Sequence, residues 1–81
     1  MDIFYRLSFK KELQDFPPPI QRKFAQQAAY LVKDIRHPSL RAKKYDETQG
    51  IWQARGTKYV RFYFLIEGNT YVLLNITYHP K

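Results

Sequence analysis

The sequence predicts an α+β domain in the order strand, two-helix hairpin, three-stranded antiparallel sheet (β-α-α-β-β-β), with residues 1–81 forming one domain. Three observations carry that prediction. Ile20, Phe24, Ala28, Leu31 and Ile35 recur at i, i+4, i+8, i+11 and i+15, the apolar stripe of an amphipathic helix. Pro17-Pro18-Pro19 divides this stripe from a shorter one at Phe9, Leu13 and Phe16. Beyond Gly50 the apolar period changes to two, on either side of a Gly68-Asn69 pair.

Each element follows in turn. Asp2 to Leu7 contains the β-formers Ile3, Phe4 and Tyr5 and predicts the first strand. Ser8 is placed to cap the first helix. The prolines end that helix, because proline lacks an amide N–H and its ring clashes with the preceding turn. They also suit the opening of the second helix, where an amide has no partner in any case. The second stripe runs for about four turns and stops at His37-Pro38, after which Ser39 to Gly50 predicts a polar loop. Ile51 to Arg55, Lys58 to Glu67 and Thr70 to Tyr78 predict three strands, the last two joined by a tight Gly68-Asn69 turn.

Strict alternation sorts the side chains into two faces. Val60, Phe62, Phe64 and Ile66, then Val72, Leu74, Ile76 and Tyr78, are expected against the helices with Trp52 and Ala54. Gln53, Arg55, Tyr59, Arg61, Tyr63, Tyr71, Leu73, Asn75, Thr77 and His79 are expected on the other side. A sheet face carrying two arginines, several tyrosines and a histidine is a candidate ligand surface.

Composition narrows the ligand. Fourteen Lys and Arg against seven Asp and Glu give a formal charge of +7, which attracts nucleic acid, an anionic membrane surface or an acidic protein. The excess is concentrated between Arg41 and Arg61, where Arg41, Lys43, Lys44, Arg55, Lys58 and Arg61 meet only Asp46 and Glu47. Nucleic acid leads that list. Seven Tyr, six Phe and one Trp supply a core rich in aromatic rings and surface rings on which bases can stack. With no Cys, two His and no clustered carboxylates, no metal site and no cofactor are expected. The Met1–Leu7 segment lacks the pattern of a signal peptide, and Tyr59–Ile66, the longest apolar stretch, contains Arg61 and is too short to span a bilayer. The expected location is the cytoplasm.

Four phrases, in order, carry a resemblance. They are Leu7-Ser8-Phe9-Lys10-Lys11-Glu12-Leu13; His37-Pro38-Ser39-Leu40 followed by Lys43-Lys44-Tyr45; Gly50-Ile51-Trp52-Gln53-Ala54-Arg55 followed by Tyr59-Val60-Arg61-Phe62-Tyr63; and Asn75-Ile76-Thr77-Tyr78-His79. Together with the order of elements they make the chain similar to the RelE/ParE toxins of bacterial and archaeal toxin–antitoxin modules. The resemblance covers essentially the whole chain. It implies an endoribonuclease that cuts mRNA at the ribosome without metal or small-molecule cofactor and is neutralised by a cognate acidic antitoxin.

In that chemistry a ribose 2′-hydroxyl attacks the neighbouring phosphate. The reaction needs a proton acceptor, cations for the charge growing on the phosphoryl oxygens, and a proton donor for the leaving oxygen. By the resemblance, Arg55 and Arg61 match the family's strand arginines, and Arg61 is the first choice for contact with the transition state. His79 falls where family members place a proton-transfer group, and Tyr78 is the alternative if the strand end twists. Lys43 and Lys44, with Arg41, Lys58, Tyr59 and Tyr63, are the candidate contacts to mRNA and the ribosome. Two other readings stand beside this one: a ParE-like inhibitor of DNA gyrase acting by protein binding, and a non-enzymatic basic RNA-binding domain.

Overall fold

Proline chemistry sets the helical layer. In the computed structural model, which describes residues 1–79, α1 spans Leu7–Gln14 and α2 spans Pro18–Lys33. Pro17 is the N-cap of α2 and Pro18 and Pro19 form its first turn, where the missing N–H groups cost nothing. The chain leaves α2 at Asp34, ahead of His37-Pro38, so Ile35 lies beyond the last helical turn. Ser8 does not cap α1. The N-cap is Arg6, whose side chain makes no capping bond, and Ser8 sits inside the first turn.

The strands are β1 (Asp2–Tyr5), β2 (Lys43–Asp46), β3 (Ile51–Thr57), β4 (Val60–Glu67) and β5 (Thr70–Tyr78). They form one five-stranded sheet in the order β1-β5-β4-β3-β2, in place of the expected three-stranded sheet. The β3-β4-β5 meander is its centre. Because the two helices carry the chain across the sheet, β1 joins β5 in parallel, with Phe4 opposite Val72 and Tyr5 opposite Leu73. At the other edge β2 pairs antiparallel with β3, Lys43 opposite Gln53 and Lys44 opposite Trp52. Lys43–Asp46 has no apolar alternation to mark it as a strand. Its backbone is recruited by the ladder of its neighbour.

Both helices cover one face. Phe24 of α2 is the hub, with ring centroids 5.3 Å from Phe9 of α1 and 5.1 Å from Phe62 of β4. Phe9, Leu31, Phe62, Phe64 and Leu73 are fully buried around it. No helix among the described residues is long and apolar enough to cross a membrane.

A bulge in β5 overturns part of the expected alternation. Tyr63 pairs with Asn75 but Phe64 pairs with Leu73, so Leu74 is an extra residue in the ladder. One extra residue reverses parity. Tyr71 and Leu73 therefore point into the core, at 4% and 0% exposure, while Val72 and Leu74 take the outer face. After the bulge the expected pattern resumes, with Ile76 buried and Asn75 and Thr77 exposed. The outer face is thereby split. Phe4, Ile51, Leu65, Val72 and Leu74 line a groove on one half, rimmed by Arg6, Gln49, Glu67 and Thr70, and Arg41, Lys43, Arg55 and Arg61 line a cavity on the other.

Glu12 of α1 closes the sheet where β1 stops. The register of β1 ends at Leu73, and further along β5 the Ile76 amide donates to Glu12 Oε1 at 3.1 Å. Glu12→Ala should leave that amide unpaired and cost about 1–3 kcal/mol. Each kcal/mol corresponds to roughly 4–8 °C of melting temperature in a domain of this size. Glu12→Gln, which keeps an acceptor, should retain most of the stability. An unchanged thermal melt for Glu12→Ala would show that the tie contributes nothing.

Candidate nucleic-acid interface

The site is assembled by the β3–β4 ladder. Arg55 and Arg61 sit directly opposite each other, and a register shift between Arg55 and Thr57 follows. Gly56 lies at that shift; a Cβ there would come within 3.2 Å of Val60 Cγ1, so the close approach of the two strands favours glycine. Like charges facing each other across a ladder are destabilising. The pairing is held in place by everything around it.

That scaffold reaches β3 from two sides. The Arg55 amide donates to the Leu40 carbonyl at 2.7 Å, and the Arg55 carbonyl accepts from Gln27 Nε2 at 2.8 Å. Leu40 is itself fully buried. The next residue, Arg41, has φ +47°, a left-handed conformation that costs a non-glycine residue about 1–2 kcal/mol. With Leu40 anchored in the core, this bend leads the chain into β2.

The result is a cavity of about 360 Å³ lined by Arg41, Lys43, Gln53, Ala54, Arg55, Arg61 and His79. Among the described residues, four cationic side chains and an imidazole surround it, and no carboxylate does. Arg61 Nη1 donates to the carbonyls of Thr57 at 2.9 Å and Val60 at 3.0 Å, which fixes the guanidinium. No hydrogen bond among the described residues engages its Nε or Nη2, leaving those donors for a ligand. Burial lowers the Arg61 pKa from the usual arginine value; Arg55 and, more weakly, Arg41 push the same way, and Tyr63 opposes them. Arg55 Nε is buried with no hydrogen-bond partner among the described residues. His79 is exposed, but its amide donates to the Tyr59 carbonyl at 2.7 Å, tying the residue after β5 to the β3–β4 turn. The arrangement can grip an oxyanion and leave an imidazole beside it.

The other sequence-predicted residues are dispersed. Lys43 lines the cavity, but Lys44 alternates to the opposite side, where its Nζ lies 5.4 Å from the Trp52 ring centroid. Lys58 and Tyr59 occupy the β3–β4 turn, with the Lys58 ammonium 5.5 Å from the Tyr59 ring. Tyr63 does not line the cavity but is bonded to Gln53, which does. Its hydroxyl accepts from Gln53 Nε2 at 3.0 Å, and its ring meets Tyr45 edge-on at 4.9 Å. Tyr78 lies elsewhere: its ring packs at 4.8 Å on Phe16 and does not line the cavity. Among the described residues no three His, Cys, Asp or Glu come together as metal donors.

Gln27 and Tyr45 were not among the residues singled out from the sequence. Tyr45 lay in the stretch read as loop. Gln27 had a signal, since it falls three residues after Phe24 and four before Leu31, on the buried side of α2. His37 is also structural: it stacks on Tyr30 with centroids 3.8 Å apart, and its Nδ1 accepts from the Ser39 amide at 3.1 Å.

The chain superposes on solved structures of toxins and toxin–antitoxin complexes. The YoeB/ParE toxin from Agrobacterium tumefaciens superposes with a TM-score of 0.79 at 15% identity, covering 99% of this chain and 100% of that one. A RelE–RelB complex from Pyrococcus horikoshii OT3 matches with a TM-score of 0.81 at 15% identity, over 99% of this chain and 96% of that one. The RelBE2 toxin–antitoxin complex from Mycobacterium tuberculosis matches with a TM-score of 0.75 at 18% identity, over 96% of each chain. No protein-family model and no curated protein matches the sequence significantly. From its first strand to its last, the chain has the fold of the RelE/ParE toxin superfamily.

Proposed function

We propose that this protein is the toxin of a type II toxin–antitoxin system, a ribosome-dependent mRNA endoribonuclease acting in the cytoplasm to stop translation. One observation carries the reading: Arg55, Arg61, Arg41 and Lys43 converge with His79 on a cavity that, among the described residues, no carboxylate lines. A ribose phosphate satisfies what such a cavity lacks. Its oxygens provide acceptors for the guanidinium of Arg55 and for the free donors of Arg61, and its charge offsets the repulsion among the cations.

In the reaction the 2′-oxygen bonds to phosphorus as the phosphorus–5′-oxygen bond breaks, leaving a cyclic 2′,3′-phosphate and a free 5′-hydroxyl. One proton leaves the 2′-hydroxyl and one reaches the 5′-oxygen. Arg61 and Arg55 bind the phosphoryl oxygens as charge builds on them, which favours the transition state over the ground state. His79 carries one of the two proton transfers. With a single imidazole and no carboxylate among the described residues that line the cavity, the second transfer is left to a group outside them. This is the physical reason to assign the reaction to the ribosome, which also fixes the mRNA geometry. Tyr63 and Tyr59 offer rings for flanking bases, and Lys43 and Lys58 offer charge for flanking phosphates.

The partner in this proposal is an acidic antitoxin segment. The +7 charge and the cationic lining of the cavity suit it. Some of the similar structures are themselves complexes with antitoxins, RelB in Pyrococcus horikoshii and YefM in Staphylococcus aureus.

The test is an in vitro translation reaction with mRNA ends mapped. Cleavage within the decoding site is expected, with naked RNA cut slowly or not at all. Intact mRNA and normal translation at saturating protein would overturn the reading. DNA cleavage in a gyrase assay would favour the ParE-like alternative.

A further inference from the structure

We infer that Gln27 is the positioning residue of the cationic cavity, acting through Arg55. The side chain is fully buried on α2, outside the cavity, yet it is bonded to the backbone segments that deliver two of the cavity's three arginines, Arg41 and Arg55. Its Nε2 donates to the Arg55 carbonyl at 2.8 Å and to the Ser39 carbonyl at 3.0 Å, while its Oε1 accepts from Ser39 Oγ at 2.8 Å. Both N–H donors and the carbonyl of one carboxamide are thereby used. A fully satisfied buried amide is a specific joint, because any other arrangement strands a polar group.

The joint sits where the sheet is least able to hold itself. Arg55 directly precedes the register shift at Gly56, so the regular ladder is interrupted there. Its amide instead takes the Leu40 carbonyl, and Leu40 immediately precedes the left-handed Arg41. Gln27 thus sets the separation between the Ser39–Arg41 segment and β3. That separation decides whether Arg41 and Arg55 aim at one anion. An apolar side chain of equal size would pack on Phe24 and Leu31 equally well without tying the two segments together.

The experiment reads the Arg55 Nε–H resonance by nitrogen-15 NMR, in the wild type and in Gln27→Met. Inorganic phosphate is titrated in as the probe. In the folded Gln27→Met variant the Arg55 resonance should move from its wild-type position, and phosphate affinity should fall on the order of tenfold. Thermal unfolding establishes that the variant is folded. Ser39→Ala, which removes only the Oγ contact, should shift the same resonance less and lose roughly threefold.

The inference rests on the proposed anion-binding role only in its phosphate arm. If the wild type fails to bind phosphate, that role is in trouble, while the shift of the Arg55 signal still decides the part played by Gln27. A folded Gln27→Met with the wild-type Arg55 resonance and unchanged phosphate affinity overturns the inference. If Gln27→Met does not fold, an unchanged Arg55 resonance and phosphate affinity in Ser39→Ala overturns it equally.

Discussion

Arg61→Ala is expected to slow single-turnover mRNA cleavage by roughly a hundredfold or more, with ribosome binding nearly unchanged. Removing a charged donor that strengthens as the phosphoryl oxygens gain charge costs on the order of 2–4 kcal/mol in the transition state. Arg61 is suited to such a loss because its Nη1 is already held by the Thr57 and Val60 carbonyls. The guanidinium is oriented before the substrate arrives, so little ordering entropy is spent when the phosphate binds. Binding should persist because long-range attraction comes from the whole +7 charge. The contrasting pair is Lys43→Ala with Lys44→Ala, which should weaken binding and flatten its salt dependence while sparing the rate at saturation. Within that pair Lys43 should carry more, since Lys44 is turned toward Trp52. A folded, ribosome-bound Arg61→Ala protein with the wild-type cleavage rate would remove Arg61 from the site.

The second large effect has two parts of opposite sign. Arg55→Met should abolish most cleavage yet stabilise the free protein. The methionine keeps the apolar stem but removes a buried Nε that has no partner among the described residues. It also removes a positive charge set directly opposite Arg61 in the ladder. The gain should be about 1 kcal/mol, allowing for the exposure of the rest of the guanidinium. That corresponds to a melting temperature roughly 4–8 °C higher. Sulfate or phosphate should raise the melting temperature of the wild type more than that of the variant, since an anion bound to the native cavity stabilises it by mass action. Linkage gives the same sign for Arg61. Its pKa is lowered in the native state, so its charged form is disfavoured by folding and is a cost at neutral pH that a bound anion relieves. An Arg55→Met protein that melts at a lower temperature than the wild type would show that Arg55 is a structural cation.

Local rules made most of the fold legible in advance. The stripe of α2, the prolines at its start and the hairpin turn each depend on residues close in sequence, where backbone sterics and apolar periodicity act directly. Gly68 takes φ +58° in that turn, as a two-residue hairpin with a glycine at its first position requires. That Arg55 and Arg61 share a face was legible too, because alternation holds along β3 and β4; their direct pairing came from the register of the two strands. His79 reached the same cavity for a related reason, since Val60 opposite Tyr78 brings the end of β5 beside the start of β4.

What the sequence could not decide depended on partners distant along the chain. Nothing in Lys43–Asp46 marks a strand; it becomes one because β3 offers an open edge. Nothing in Asp2–Tyr5 names β5 as its neighbour; the length and packing of two helices bring it there. The bulge at Leu74 was invisible because a period-two pattern runs through Val72, Leu74 and Ile76 without a break, and only the register against β4 shows the extra residue. Tyr78 went to Phe16 for the same reason: which side of a strand end meets a helix turn is settled by packing. By itself the sequence determined both helices, four of the five strands, the charge and the face that the two arginines share. The tertiary structure alone decided which edge each outer strand would take, which half of the outer face would be apolar, and that a glutamine on α2 would hold the arginine of β3. Those outcomes rest on hydrogen bonds and contacts whose two ends are far apart in the chain, and their energies exist only once the chain has closed on itself.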